Sequence, residues 1–189
     1  MEPNALESAL GPGDVPERIE AEGLVLRRWE PDDLDDRYRA ITASFHHLHP
    51  WMEWASEPPT EEEHRERFRH ALRWPSGGSY NFGIFDLRSG AILGVASVHD
   101  QLGPGRVEIG YWCHVDHIGR GVISRSARGL TRILLSLPHV KRIEIHCDEA
   151  NLRSAAVPER LGYRLDRIED DGIEAPAESG RGMVWIKER

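Results

Sequence analysis

Gly119-Arg120-Gly121, followed by Val122, Ile123 and Ser124, is the segment of this 189-residue chain best suited to holding an anion. Two glycines just ahead of an amphipathic stretch leave backbone N–H groups unpaired at the positive end of a helix, where a phosphate or pyrophosphate can sit. The same pair can also do no more than shape the turn. The spacing is not Gly-x-Gly-x-x-Gly and no Gly-Lys-Ser/Thr is present, which demotes dinucleotide-fold and NTPase readings. Cys147 is a potential nucleophile, but a reactive thiolate needs a nearby base or positive field, and strand alternation points His146 to the opposite side. A buried strand cysteine is the better reading. His46, His47, His49 and His64 lack a matching carboxylate or thiol pattern, so no metal site is expected. Of the basic stripe Arg125, Arg128 and Arg132, only Arg125 lies near enough to the Gly-rich turn to assist a phosphate.

The elements around these residues follow from hydrophobic period. Residues 1–22, with Gly11-Pro12-Gly13 and scattered charges, read as a flexible N-terminal arm, and a single domain is expected over 23–189. Leu24 to Leu26, with Trp29, predict a first strand. Pro31-Asp32-Asp33 opens a helix to about Ser44, and Pro58-Pro59-Thr60 with three glutamates opens another to about Trp74. Between them lies an aromatic, histidine-rich loop. An antiparallel meander follows over Tyr80–Leu87, Ala91–Val98 and Val107–Cys113. After it come an amphipathic helix from Val122 to Leu137, a strand around Ile143 and Ile145, a helix capped by Asn151 and stopped at Gly162, and strands at Tyr163–Ile168 and Met183–Lys187.

Composition narrows the function further. Thirty-two acidic against 24 basic residues give a net charge of −8, which repels phosphate backbones and argues against nucleic-acid binding. No run of about 18 apolar residues suggests a membrane span, and the polar start lacks the pattern of a signal peptide. A cytoplasmic location with two reduced thiols, Cys113 and Cys147, is the expectation.

Several spaced motifs together resemble the GCN5-related N-acetyltransferase (GNAT) superfamily, particularly its RimJ/RimL ribosomal-protein branch. They are Glu108-Ile109-Gly110-Tyr111-Trp112, Gly121-Val122-Ile123-Ser124-Arg125-Ser126, Asn151-Leu152-Arg153-Ser154-Ala155-Ala156 and Leu161-Gly162-Tyr163. The resemblance spans about residues 23–187. The chain departs from the superfamily's Gln/Arg-x-x-Gly-x-Gly/Ala pattern at Ile118 and Ile123, although backbone N–H groups at both positions remain available.

The resemblance implies a mixed α/β fold whose largely antiparallel sheet, flanked by helices, splays at a β-bulge between the fourth and fifth strands. Acetyl-CoA would be the co-substrate, wedged in the gap, with no metal. Trp112, Cys113, His114, Gly119, Arg120, Gly121, Val122, Ile123, Ser124, Asn151 and Ser154 would contact it, Asn151 also capping its helix. Glu108, ten residues before Ile118, stands where some members keep a general base, and a solvent-facing charge is its other reading. Ser154 matches the serine proposed in RimL-like enzymes to protonate the leaving thiol, and otherwise serves the helix start. His49, Trp51 and Trp54 would line the acceptor pocket. The implied activity is transfer of acetyl to a primary amine by direct attack in a ternary complex, with a protein N-terminus as first acceptor. A small-molecule amine such as an aminoglycoside, or a non-catalytic CoA-binding regulatory domain, are the alternatives, and a homodimer is compatible with each.

Overall fold

A computed structural model describes residues 8–11 and 13–189. One eight-stranded sheet organises them, in the order β1-β2-β3-β4-β5-β6-β8-β7. Its strands are β1 Arg18–Ala21, β2 Leu24–Arg28, β3 Ser79–Asp86, β4 Ile92–His99, β5 Arg106–Cys113, β6 Arg142–Asp148, β7 Arg164–Asp170 and β8 Arg181–Glu188. Every neighbouring pair is antiparallel except β5 and β6. The α-helices are α1 Leu34–Leu48, α2 Glu61–Ala71, α3 Val122–Ser136 and α4 Leu152–Arg160. This is the mixed α/β architecture expected.

The central strands are buried on both faces, whereas β7 at the edge is exposed, and strand alternation divides the two faces. Leu24 and Leu26 of β2, Phe82 and Ile84 of β3, Val107 and Ile109 of β5, and Ile143 and Ile145 of β6 pack with Leu130 and Leu134 of α3. Val25, Trp29, Phe85, Val95 and Trp112 turn the other way, onto Ala40, Ile41 and Leu48 of α1 and Phe68 of α2. Alternation also places Glu108, Glu144 and His146 on this second face. Thr60 caps α2 in a reciprocal pair with Glu63, the capping-box arrangement its sequence spells.

The parallel ladder of β5 and β6 covers only Arg106–Glu108 against Arg142–Glu144, and beyond it the strands diverge. This is the expected splay, between the fifth and sixth strands once β1 is counted. The β-bulge expected at the splay does not appear in its registers: β4–β5 runs unbroken from Glu108 to Cys113, and the register shifts fall instead at Ile84/Phe85 and Leu165/Arg167. Gly94 makes the close approach of β4 to β5 possible, because a Cβ on it would lie 2.3 Å from Trp112 O.

Two expectations are corrected. The arm read as flexible to residue 22 is, from Ser8 on, part of the fold among the described residues. Arg18–Ala21 pairs with β2, and Ala9, Leu10 and Val15 are buried in the α3-side core. The buried Asp100 carboxylate accepts from Ala9 N at 2.6 Å and Leu10 N at 2.9 Å. The expectation for residues 1–7 and 12 lies outside the described residues. Helix α1 also runs past Ser44 to Leu48, so His46 and His47 sit on its last turn and the loop starts at His49.

Candidate active site

Two cavities meet along the splay. The first, of about 760 Å³, runs from the Gly-rich turn to the diverging strands. Gly119 and Gly121 both have positive φ, +75° and +71°, and a Cβ on either would meet nothing within 4 Å. The turn is therefore open as well as left-handed, and Gly121 caps α3 without any side-chain hydrogen bond. The first N–H groups of α3 are thus left for a ligand. Gly119, Gly121, Val122, Ile123 and Ser124 line this groove with Trp112, Cys113, Asn151 and Ser154. Asn151 caps α4 by accepting from Ser154 N at 3.1 Å.

Two residues expected to contact the cofactor do not line this cavity. Arg120 does not line the groove, and its carbonyl accepts from Arg125. His114 caps its own turn through Nδ1, and its N–H is bonded to Leu93 O at 2.9 Å. Hydrogen-bonded pairs alternate along an antiparallel ladder, so Trp112 N–H also turns to β4 and Cys113 N–H faces the gap. Arg125 reaches the turn but is engaged with the carbonyls of Glu22, Arg120 and Gly121.

The second cavity, of about 720 Å³, opens on the α1–α2 face and shares Trp51, Met52, Tyr111, Trp112, Asn151 and Ser154 with the first. Trp54 lines it and approaches Trp112 with ring centroids 6.4 Å apart. His49 does not line it. Its Nδ1 is 2.9 Å from Ala55 O, so it fastens the loop from behind, while His47 lines the first cavity.

Glu108 faces this cavity from β5, and its carboxylate lies 3.9 Å from His146 Nδ1. His146 Nε2 is bonded at 2.8 Å to Glu144, which is fully buried and paired with Arg106 at 2.8 Å. Burial pushes the Glu144 carboxyl up. The bonds from His146 and Arg106 and the charges of Arg106 and Arg142 outweigh it and hold the carboxyl below its usual range. The chain Glu108–His146–Glu144 was not read from the sequence. Its signal was the alternation of Glu144 and His146, but only the β5–β6 register brings Glu108 opposite Glu144.

Tyr111 was also missed. Its hydroxyl donates to Ser154 O at 3.2 Å and lies 3.4 Å from Ser154 Oγ, at the seam of the two cavities. Burial raises its pKa well above the usual phenol value. Burial likewise pushes the Cys147 thiol up to about 11, which removes the thiolate a nucleophile would need. Among the described residues no group of three metal-ligating side chains is present.

The splayed sheet thus carries an open, left-handed Gly-rich turn on one side and a carboxylate–imidazole pair on the other. A family profile described as Acetyltransferase (GNAT) domain matches residues 23–164, and the chain belongs to the GNAT acetyltransferase family. A curated relative from Bacillus subtilis (strain 168), named "Putative ribosomal N-acetyltransferase YdaF", is 27% identical over 154 residues, 80% of this chain and 84% of the relative. A structure of RimL, a ribosomal L7/L12 alpha-N-protein acetyltransferase in complex with coenzyme A, superposes with a TM-score of 0.80. It is 20% identical and covers 91% of this chain and 98% of its own. The microcin C7 self-immunity acetyltransferase MccE, solved with acetyl-CoA and AMP, gives 0.79 at 17% identity, covering 89% and 93%. Relatives with ribosomal names match the branch that the motifs resemble.

Proposed function

We propose that the protein transfers acetyl from acetyl-CoA to a primary amine by direct attack, with a protein N-terminal amine as acceptor. The observation that carries this reading is the meeting of the two cavities at Tyr111, Trp112, Asn151 and Ser154. A thioester bound along the first cavity and an amine in the second would reach each other across this seam. The open Gly119–Gly121 turn fits a pyrophosphate, since backbone N–H groups at a helix start hold anions without side-chain help. Cys113 N–H, directed into the gap, would hold the oxyanion of the tetrahedral intermediate.

An N-terminal amine, with a pKa of about 8, arrives largely protonated near neutrality. Glu108 would take its proton directly or through water, with His146 beside it to pass the proton on. When the intermediate collapses, Ser154, in contact with Tyr111, would hydrogen-bond or protonate the departing thiolate. The relatives with ribosomal names support the choice of acceptor. Thiol release from acetyl-CoA, followed over N-terminal peptides and metabolite amines with mass spectrometry of the products, tests the reading. Acetylation of peptide α-amines is expected. Products only from small-molecule amines would replace the acceptor, and no release with any amine would contradict catalysis.

A further inference from the structure

Arg37 enters the acceptor cavity from the first turn of α1. Its Nε is buried and has no hydrogen-bond partner. The rings of Trp29 and Phe68 lie against the guanidinium, with Cζ 5.3 Å and 5.8 Å from their centroids, which fixes its orientation but supplies no counter-charge. One Nη donates at 3.4 Å to His64 Nδ1, and His64 Nε2 donates to Leu34 O at 3.2 Å. That pattern requires a neutral imidazole, and burial followed by the charge of Arg37 pushes His64 down to about 4.

The charged neighbour of Arg37 is Arg67, of like sign, which also lines the cavity and donates to Trp54 O at 2.8 Å. Arg39 and Arg69 on the same two helices are paired with Asp36 and Glu66, whereas neither Arg37 nor Arg67 forms an ion pair among the described residues. A buried charge without a partner is costly to keep. The arrangement makes physical sense when an anion arrives with the substrate.

We propose that Arg37, assisted by Arg67, binds a carboxylate carried by the acceptor, so that the enzyme selects amines that also bear an acidic group. The proposal rests on the reading of this cavity as the acceptor site. A carboxylate matches the planar guanidinium fork. A doubly charged phosphate would be opposed by Glu57 and Glu63 on the same cavity and by the net charge of −8.

The test uses the full chain with saturating acetyl-CoA and C-terminally amidated peptides of the form Ser-Glu-Ala-Ala and Ser-Gln-Ala-Ala, with the acid also moved along the peptide. At one position or more, kcat/KM is expected to favour Glu over Gln by at least about tenfold, mainly through KM, as for a charge-assisted hydrogen bond. Arg37→Met should bring that ratio close to one, and Arg67→Gln should reduce it. Removing an unpaired buried charge also predicts that the ligand-free Tm of Arg37→Met holds or rises, whereas a residue present only for packing would lower it. Equal kcat/KM for both peptides at every position, or a preference that survives Arg37→Met, overturns the proposal. If no peptide is acetylated, the transfer reading fails and calorimetric binding of the same peptides decides this one. Tighter binding of the Glu peptide that Arg37→Met abolishes supports the carboxylate site, and equal binding overturns it.

Discussion

Glu108 and His146 are 3.9 Å apart on neighbouring strands, and only His146 is anchored from behind by a buried carboxylate. In the proposed reaction Glu108 would take the proton from the amine and His146 would relay it, while Ser154 would act at the leaving sulfur, and loss of Glu108 and of Ser154 should look different. Glu108→Gln is expected to lower kcat by about 10²–10⁴-fold with acetyl-CoA binding retained, and raising pH should partly restore the rate by supplying free amine. Ser154→Ala should lower kcat without alkaline rescue, because its proton is needed at sulfur. Initial rates between pH 6 and 9 separate the two, and a Glu108→Gln enzyme with unchanged kcat throughout would transfer the base role elsewhere. Glu144 also ties the site to stability. Its folded pKa lies below the unfolded value, so its contribution is present above the unfolded pKa of about 4.3 and is lost as pH falls through the folded value. Glu144→Gln should flatten that acid limb in unfolding experiments at graded pH. Glu108 and Ser154 were legible as residues from spaced motifs. Tyr111 and His146 were not, because their roles depend on which elements the splay brings together.

At the scale of elements, the proposed reaction gives the Gly-rich turn and the loop after α1 different substrates. Gly119→Pro or Gly121→Pro should abolish the thermal stabilisation of the fold by acetyl-CoA, since proline cannot adopt the positive φ and removes a backbone donor. A folded variant with an undiminished shift would remove this turn from the donor site. Trp51→Ala should raise the acceptor KM more than the acetyl-CoA KM only if its role leans to the second cavity. Because it lines both, comparable effects would mark it as part of the seam, whereas Trp54→Ala should act on the acceptor alone. Most helices and strands could be read from period and caps, as with Thr60 before three glutamates. Strand β1 was hidden because Gly11-Pro12-Gly13 and two charges dominate its neighbourhood, although Ile19 and Ala21 alternate inward with Arg18 and Glu20 outward. Helix α1 outran its expected end because no breaker precedes Pro50.

Across the whole molecule, β5 and β6 separate while their outer ends remain fixed in a continuous sheet, so the gap is a product of the fold rather than of any one loop. The N-terminal segment closes the α3-side core through Asp100. Asp100→Ala leaves the Ala9 N–H unpaired and Leu10 N–H with only a 3.4 Å contact to Ser8 Oγ, and should cost about 1–3 kcal/mol, read as a lower Tm and faster hydrogen exchange at those two amides. Among the described residues no helix is long and apolar enough to cross a membrane. In the proposed reaction donor and acceptor occupy the two joined cavities together and react directly. Initial rates with acetyl-CoA and an N-terminal peptide varied together, alongside the intact mass of enzyme incubated with acetyl-CoA alone, test it most directly. Intersecting reciprocal plots with an unmodified enzyme mass are predicted. Parallel plots with an added acetyl group on Cys147 would contradict the account.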